Sequence, residues 1–326
     1  MRTLIYCLIA LGLTTVTCVS AKEMPPEQTS VDQLIRQAAN SLSTKNYRLH
    51  LLHRVGESVD TLINAHAMID GQEREYISYL NGIPREVFRR GDSLMCVYPE
   101  GTSPMADHNL ISNLMEAPII DNYDQLVSHY QFTLGEKDYV AGREALTINI
   151  TPRDSDRSNH RLWIDEASKL PLRHDVLDEH GAIMKQLMVV SIELDAVPGS
   201  KLTVPLSDYR QGDVSGEPTQ HNPGTSTELR WAPRWIPDGF VNVSSQEGSS
   251  SLSGHLLYSD GLARFSIYLA EGVKTGFSSR ILKHQGNVVV EKYIKDDLLV
   301  TVMGDLNSHS ADKIIGSIYL RGPESE

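Results

Sequence analysis

Turn signals recur about every ten residues between positions 70 and 101, and this spacing constrains the fold more than any other feature of the chain. The turns are Asp70-Gly71, Asn81-Gly82, Gly91-Asp92 and Pro99-Glu100-Gly101. Ahead of and among them, hydrophobicity has a period of two. Tyr47, Leu49 and Leu51 alternate with Arg48, His50 and Leu52, and Ile63, Ala65, Ala67 and Ile69 alternate with Leu62, Asn64, His66 and Met68. Successive side chains of a strand point to opposite faces, so short alternating runs joined by Gly-containing turns describe an antiparallel meander. Before the meander, Ser30-Val31-Asp32-Gln33 forms a capping box, and Val31, Leu34, Ile35, Ala38, Ala39 and Leu42 follow at helical spacing, which predicts a helix over 31–43.

Further along, Pro104, Pro118 and a high Ser/Asn/Asp content break the strand pattern, predicting a helical or irregular insertion over 103–130. Strands are expected again at 130–134, 145–151, 161–164, 172–177 and 183–194. A composition shift then begins: 207–228 contains Gly212, Gly216, Pro218, Pro223 and Gly224 with almost no large apolar residue, and reads as a polar linker. Past it, Trp231-Ala232-Pro233-Arg234-Trp235-Ile236-Pro237-Asp238-Gly239-Phe240 opens a second core. Strands are expected at 256–259, 264–269, 287–293 and 298–303. A closing helix is expected over 311–320, capped near Ser308 or Ser310 and carrying Ile314, Ile315 and Ile318 inward. The fold class is therefore α+β, with a large domain over 22–206 and a smaller one over 229–322.

The first 21 residues add a location. Arg2, the apolar run from Thr3 to Leu13, and Val19-Ser20-Ala21 form an export signal with cleavage after Ala21. The apolar run falls short of the roughly 20 residues a bilayer span needs. Thr15-Val16-Thr17 lacks the residues a lipid-bearing Cys18 would require ahead of it. Cys7 and Cys18 depart with the leader, leaving Cys96 alone in an apolar strand-like run, where a buried structural thiol is expected. What remains of the 326 residues exceeds what one core ordinarily sustains, about 250–300, in keeping with two domains. The formal charge of −12 disfavours nucleic acid and anionic membranes as partners.

Catalytic patterns are missing: no His-Glu-x-x-His, Gly-x-Ser-x-Gly, phosphate-cradling glycine loop or Cys-x-x-Cys occurs. Gly248-Ser249-Ser250-Ser251-Leu252-Ser253-Gly254 has the wrong spacing for a nucleophile elbow and reads as a loop. Twelve histidines are present, yet His50, His53 and His66 stand singly, so no metal site is expected. Asp165-Glu166 and Asp178-Glu179 flank turns and read as solvated loop charge. No catalytic residue and no cofactor is expected.

Two kinds of segment resemble known families. Leu162-Trp163-Ile164-Asp165-Glu166-Ala167-Ser168-Lys169-Leu170-Pro171-Leu172-Arg173-His174-Asp175, followed by Asp178-Glu179-His180-Gly181, resembles a strand-turn-strand of periplasmic lipoprotein carriers of the LolA type. Together with Gly82-Ile83-Pro84-Arg85-Glu86-Val87, the 231–240 frame and Leu257-Tyr258-Ser259-Asp260-Gly261-Leu262, it resembles the RseB/MucB family, periplasmic regulators of the sigma-E envelope-stress response. The resemblance implies a LolA-like half-barrel with helices on its concave side, followed by a smaller C-terminal α+β domain. It also implies a non-enzymatic role. Such a protein binds the periplasmic part of a single-pass anti-sigma factor, of the RseA or MucA kind, shields it from regulated proteolysis, and is released by lipopolysaccharide or lipoprotein acyl chains. A lipid or lipoprotein carrier is the alternative, and a homo-oligomer is left open. In the smaller domain Trp231, Trp235, Tyr258, Phe265 and Tyr268 are the aromatic candidates for holding the partner, with Arg264 to pair with an acidic segment of it.

Overall fold

The computed structural model describes residues 30–91, 93–97, 119–120, 122–195, 199–203, 229–248, 252–271, 278–284, 287–294 and 298–321. The export signal with its cleavage point at Ala21, most of the 103–130 insertion, the 207–228 linker, positions 249–251 of the serine-rich loop and the side chain of Cys96 lie outside them.

Helix α1 (Val31–Thr44) begins where the capping box placed it. Ser30 Oγ accepts from the Gln33 N–H, and the Gln33 side chain accepts from the Ser30 N–H. Two meanders follow. The first runs β1 (Tyr47–Val55), β2 (Ser58–Ile69), β3 (Gln72–Tyr79), β4 (Glu86–Arg90) and β5 (Ser93–Val97). After the one-turn helix α2 (Tyr123–Leu126), the second runs β6 (Tyr130–Val140), β7 (Arg143–Pro152), β8 (Asn159–Asp165), β9 (Pro171–Leu177) and β10 (Ile183–Leu194). They fuse into one ten-stranded antiparallel sheet because β10 returns to pair with β1, giving the order β5-β4-β3-β2-β1-β10-β9-β8-β7-β6. At the β2–β3 turn Asp70 and Gly71 both take positive φ, 52° and 74°, as the tightest hairpin turn requires.

The register places Tyr47, Leu49 and Leu51 on one face with Leu62, Ile77, Tyr79, Val87, Leu187 and Val189, all buried. On the β6–β8 side this same face receives α1: Leu34, Ile35 and Ala38 pack on Tyr130, Ile148, Ile150, Leu162 and Ile164. Each such Leu or Ile side chain contributes about 1.5–3 kcal/mol by leaving water. Strand β2 is buried on both faces. Asn64 and His66 lie inside, and Ala65 and Ala67 lie outside beneath Leu202 of the short helix α3 (Ser200–Thr203). The inner polar pair is held in place, with Asn64 Nδ2 donating to Glu75 at 2.7 Å and His66 Nδ1 against the Lys45 carbonyl at 2.7 Å, while Asn64 Oδ1 is buried without a partner among the described residues.

The smaller domain starts at β11 (Trp231–Pro233), which pairs with the last strand, β18 (Ile318–Leu320). Between them β12 (Val241–Glu247), β13 (Gly254–Ser259), β14 (Arg264–Glu271), β15 (Ser279–His284), β16 (Asn287–Ile294) and β17 (Leu298–Gly304) form a six-stranded sheet ordered β12-β13-β14-β17-β16-β15. The closing helix α4 spans Ser308–Ser317, not 311–320. Asn307 is its cap, extended at φ −77° and ψ 164°, with its side chain accepting from the Ser310 N–H at 2.8 Å. The last three residues of the expected helix are strand because they close the ribbon against β11.

Candidate partner-binding site

The register of the small sheet divides the six candidate residues between two faces. Leu256 stands opposite Ile267, Tyr258 opposite Phe265, and Ile267 opposite Val302, so these share one face. Ala311, Ile314 and Ile315 of α4 pack against that face, together with Trp231. Tyr258 and Phe265 stack there with ring centroids 5.1 Å apart, and Phe240 meets Phe265 edge-on at 5.0 Å. Trp231, Tyr258 and Phe265 are thus core residues that hold the sheet flat against the helix. Burial raises the Tyr258 phenol above its ordinary pKa.

The other face carries Arg264, Ser266 and Tyr268 on β14, His255 and Leu257 on β13, Leu299, Thr301 and Met303 on β17, and Val289 and Glu291 on β16. Among the described residues, the core cluster that takes in α4 and the β11–β18 ribbon includes none of these. Tyr268 is 40% exposed and lies flat on His255, centroids 4.3 Å apart and planes 9° apart. His255 is fixed in turn by Ser266 Oγ at 3.0 Å, and burial lowers its pKa. A rigid tyrosine on a braced imidazole, set among half-buried Leu257, Leu299 and Met303, is a surface that loses little side-chain freedom on binding. Trp235 sits apart, at the ribbon. Its N–H donates to Ser317 Oγ at 3.2 Å, its carbonyl accepts from the same hydroxyl, and the Lys313 ammonium lies 3.7 Å from its ring centroid.

How the small sheet is held on the large domain depends on residues to which no sequence pattern assigned that role. Arg157, in the turn between β7 and β8, is fully buried and reaches into the small domain. Its Nε donates to Asp260 Oδ2 at 2.7 Å, its Nη2 donates to the Asp238 carbonyl, its Nη1 pairs with Asp154, and its guanidinium lies 4.9 Å from the Phe240 ring centroid. Tyr130 of β6 donates to the same Asp260 oxygen at 2.8 Å, and burial followed by that carboxylate pushes its phenol pKa well up. Lys185 of β10 pairs with Asp305 at 2.5 Å. Burial alone would raise the Asp305 carboxyl, but Lys185 outweighs it and keeps the pKa below the usual range. Ser310 Oγ donates to Asp156 at 2.5 Å, and Asn122 Nδ2 to the Gly261 carbonyl at 3.1 Å. Asp260 and Gly261 form the turn between β13 and β14, the two strands that carry His255, Arg264 and Tyr268.

Two expectations about charge divide. Glu166 is a solvated turn charge paired with Lys137 at 2.7 Å. Asp165 is not: it is buried, accepts two bonds from Arg143 at 2.9 Å each, and receives the Ser168 N–H at 2.6 Å. Burial would raise its pKa, and these donors override that and lower it. Among the described residues no three His, Cys, Asp or Glu side chains are grouped to hold a metal ion, and no helix is long and apolar enough to cross a membrane.

Comparison with known proteins agrees with this two-part architecture. The sigma-E factor regulatory protein RseB of Salmonella typhimurium is 28% identical over 294 residues, covering 88% of this chain and 90% of that protein. The sigma factor AlgU regulatory protein MucB of Pseudomonas aeruginosa is 29% identical over 258 residues, covering 76% and 78%. A crystal structure of MucB in complex with MucA(peri) superposes with a TM-score of 0.70 at 22% identity, covering 90% of this chain and all of that one, a likeness of fold. The models of the MucB/RseB N-terminal domain and of the MucB/RseB C-terminal domain match residues 30–211 and 225–319. Matched in order by both domain models of one family, the chain belongs to the MucB/RseB family.

Proposed function

We propose that this protein works outside the cytoplasm as a negative regulator of a sigma-E-type envelope-stress response, by binding rather than by catalysis. Its partner is the periplasmic segment of a single-pass anti-sigma factor. It covers that segment against regulated proteolysis, and acyl-chain amphiphiles such as lipopolysaccharide release it. The observation that carries this reading is the family match over both domains, together with a relative of the same fold that was solved with MucA(peri). A carrier would need only the larger sheet. The second sheet, with one face not built into its core, suits a protein ligand. On this reading Tyr268, Arg264 and, at the ribbon, Trp235 meet it, whereas Trp231, Tyr258 and Phe265, which are buried, act by supporting the sheet.

The test is affinity capture of the exported chain from a detergent extract of its own membranes, with captured proteins identified by mass. Recovery of a single-pass anti-sigma factor, lost on Tyr268→Ala in a chain of unchanged stability, is the expected result. Recovery of lipoproteins alone would favour the carrier.

A further inference from the structure

The two edges of the small sheet are built differently. β12 is blunted: its ladder with β13 shifts register between Asn242 and Ser244, and the Asn242 side chain donates there to the Ser244 and Leu257 carbonyls at 3.1 and 3.3 Å. β6, an edge of the large sheet, is interrupted in the same way between Leu134 and Lys137. β15 has no such break. It is last in the strand order among the described residues, and its ladder with β16 runs in one register from Ser279 opposite Lys292 to His284 opposite Asn287. The Tyr293 N–H donates to the Ser278 carbonyl at 3.1 Å, which fixes the alternation. Arg280 and Leu282 turn their backbone groups toward β16, and Ser279, Ile281 and Lys283 turn theirs to the open side.

This strand exposes aliphatic side chains on both faces. Ile281 stands opposite Val290 on the face that α4 packs, but α4 lies over β16 and β17, with its Asp312 paired to Lys292 at 3.0 Å. One strand further out, Ile281 is 61% exposed. Leu282 stands opposite Val289 on the other face and is 42% exposed. That second face is the one that carries Tyr268. The row Tyr268, Thr301, Glu291, Arg280 crosses the sheet from β14 to β15 and ends in the ion pair of Arg280 with Glu291. An edge that has only to stay soluble carries a bulge, a proline or charge, not adjacent aliphatic residues open on both sides.

We propose that β15 is a strand-addition site, at which an extended acidic segment of the protein partner joins the small sheet as its seventh strand, a role that rests on the partner-binding function proposed above. Main-chain bonds to Ser279, Ile281 and Lys283 supply the pairing. The exposed aliphatics supply the selection: two adjacent residues of the incoming strand, one on each face, are apolar and cover Ile281 and Leu282. Charge selects their neighbours. The strand reads Ser-Arg-Ile-Leu-Lys-His, two basic residues and no acidic one, in a chain of formal charge −12. Opposite charges across a strand pair stabilise it, so acidic residues flank the apolar two. A second copy is the poorer occupant, because it brings another charge of −12 to the molecule and two more basic residues to the junction.

The experiment uses the full exported chain with two probes, the captured anti-sigma segment and a blocked synthetic peptide, Glu-Thr-Glu-Val-Val-Glu-Thr-Glu, and reads amide hydrogen exchange by NMR. The expected result is alternating protection. At saturating peptide, exchange slows by roughly tenfold or more at Ile281 and Lys283, whose N–H groups face outward, and is unchanged at Leu282, already bonded to β16. N-methylation of the peptide backbone, or Lys in place of its Glu, should weaken binding by roughly tenfold or more. Ile281→Pro should do the same at unchanged Tm, because the N–H it removes makes no bond to β16. The methylated peptide carries the test if that variant misfolds. Absent or uniform protection of β15, equal binding of the Lys peptide, or protection that grows with protein concentration alone, the mark of a second copy, would each overturn the proposal. An anti-sigma segment that binds while the Ile281 amide exchanges freely would overturn it and leave the proposed function standing. A peptide that protects the edge when no anti-sigma factor is captured would support strand addition and overturn that function.

Discussion

Arg157 and Asp260 are each fully buried and each is the other's charge partner, although they lie 103 positions apart in the chain. Removing one partner of such a pair strands the other in a low-dielectric site, which typically costs about 3–5 kcal/mol. Arg157→Ala is therefore expected to lose that much in urea unfolding. Arg48→Ala, which breaks the surface pair with Glu193 at 3.1 Å, should lose no more than about 1 kcal/mol. A loss of the smaller size at Arg157 would mean the domains are not held by this residue. Tyr268 makes the opposite forecast. Exposed on a braced ring, it should tolerate Ala with little change in stability, yet weaken partner affinity by about tenfold to a hundredfold, measured by calorimetry with the anti-sigma segment. Neither Arg157 nor Asp260 was legible, because nothing local distinguishes a buried ion pair from two solvated loop charges. Asp165 and Glu166 show this at its sharpest: adjacent acids in one turn, one locked by Arg143 and the other facing water.

Elements were most legible where their signals are local. The capping box at Ser30, the apolar stripe of α1 and the turns at Gly71, Gly82 and Gly91 each specify structure within a few residues, and each forms where the pattern indicated, while the expected turn at 99–101 lies outside the described residues. Helix α4 departs from expectation because three cap-forming side chains stand close together and only tertiary contacts choose among them. Asn307 wins because its Nδ2 also donates to the Ser155 carbonyl across the domain boundary, and Ser310 is engaged with Asp156. Asn307→Ala should then cost about 1–2 kcal/mol, a lost cap and a lost inter-domain bond, whereas Ser308→Ala should be near neutral. Equal effects of the two in thermal unfolding would return the cap to the serine. Strand β2 misleads for a different reason. Its Asn64 and His66 occupy core positions where Glu75 of β3 accepts from the Asn64 amide and the α1–β1 turn meets the His66 ring, a compensation visible only once the register is known.

At the scale of the whole molecule, the strand order depends on β1 meeting β10 across more than a hundred residues, and meander patterns do not encode that closure. The same closure brings Lys185 of β10 and Tyr130 of β6 to one corner, where both engage the small domain. Tyr130 is also part of the apolar cluster beneath α1, so that cluster shares a residue with the contact that positions the β13–β14 turn. On the proposed function, an amphiphile whose chains entered that cluster would have to move Tyr130 or its neighbours, and the proposed partner face lies on the strands flanking Asp260. Binding of the two should therefore be coupled, and the coupling must be reciprocal, because both ligands act on one equilibrium of the same chain. A hundredfold weakening of partner affinity at saturating amphiphile corresponds to about 2.7 kcal/mol, which the burial of three or four methylenes at about 0.8 kcal/mol each can supply. Titrating lipopolysaccharide below its aggregation threshold against a labelled anti-sigma segment, and then the segment against labelled lipid, should give the same factor in both directions. Tyr130→Phe, which keeps the ring and deletes only the bond to Asp260, should reduce that factor while leaving amphiphile affinity in the absence of partner intact. A factor unchanged by this substitution would place the coupling elsewhere in the domain boundary.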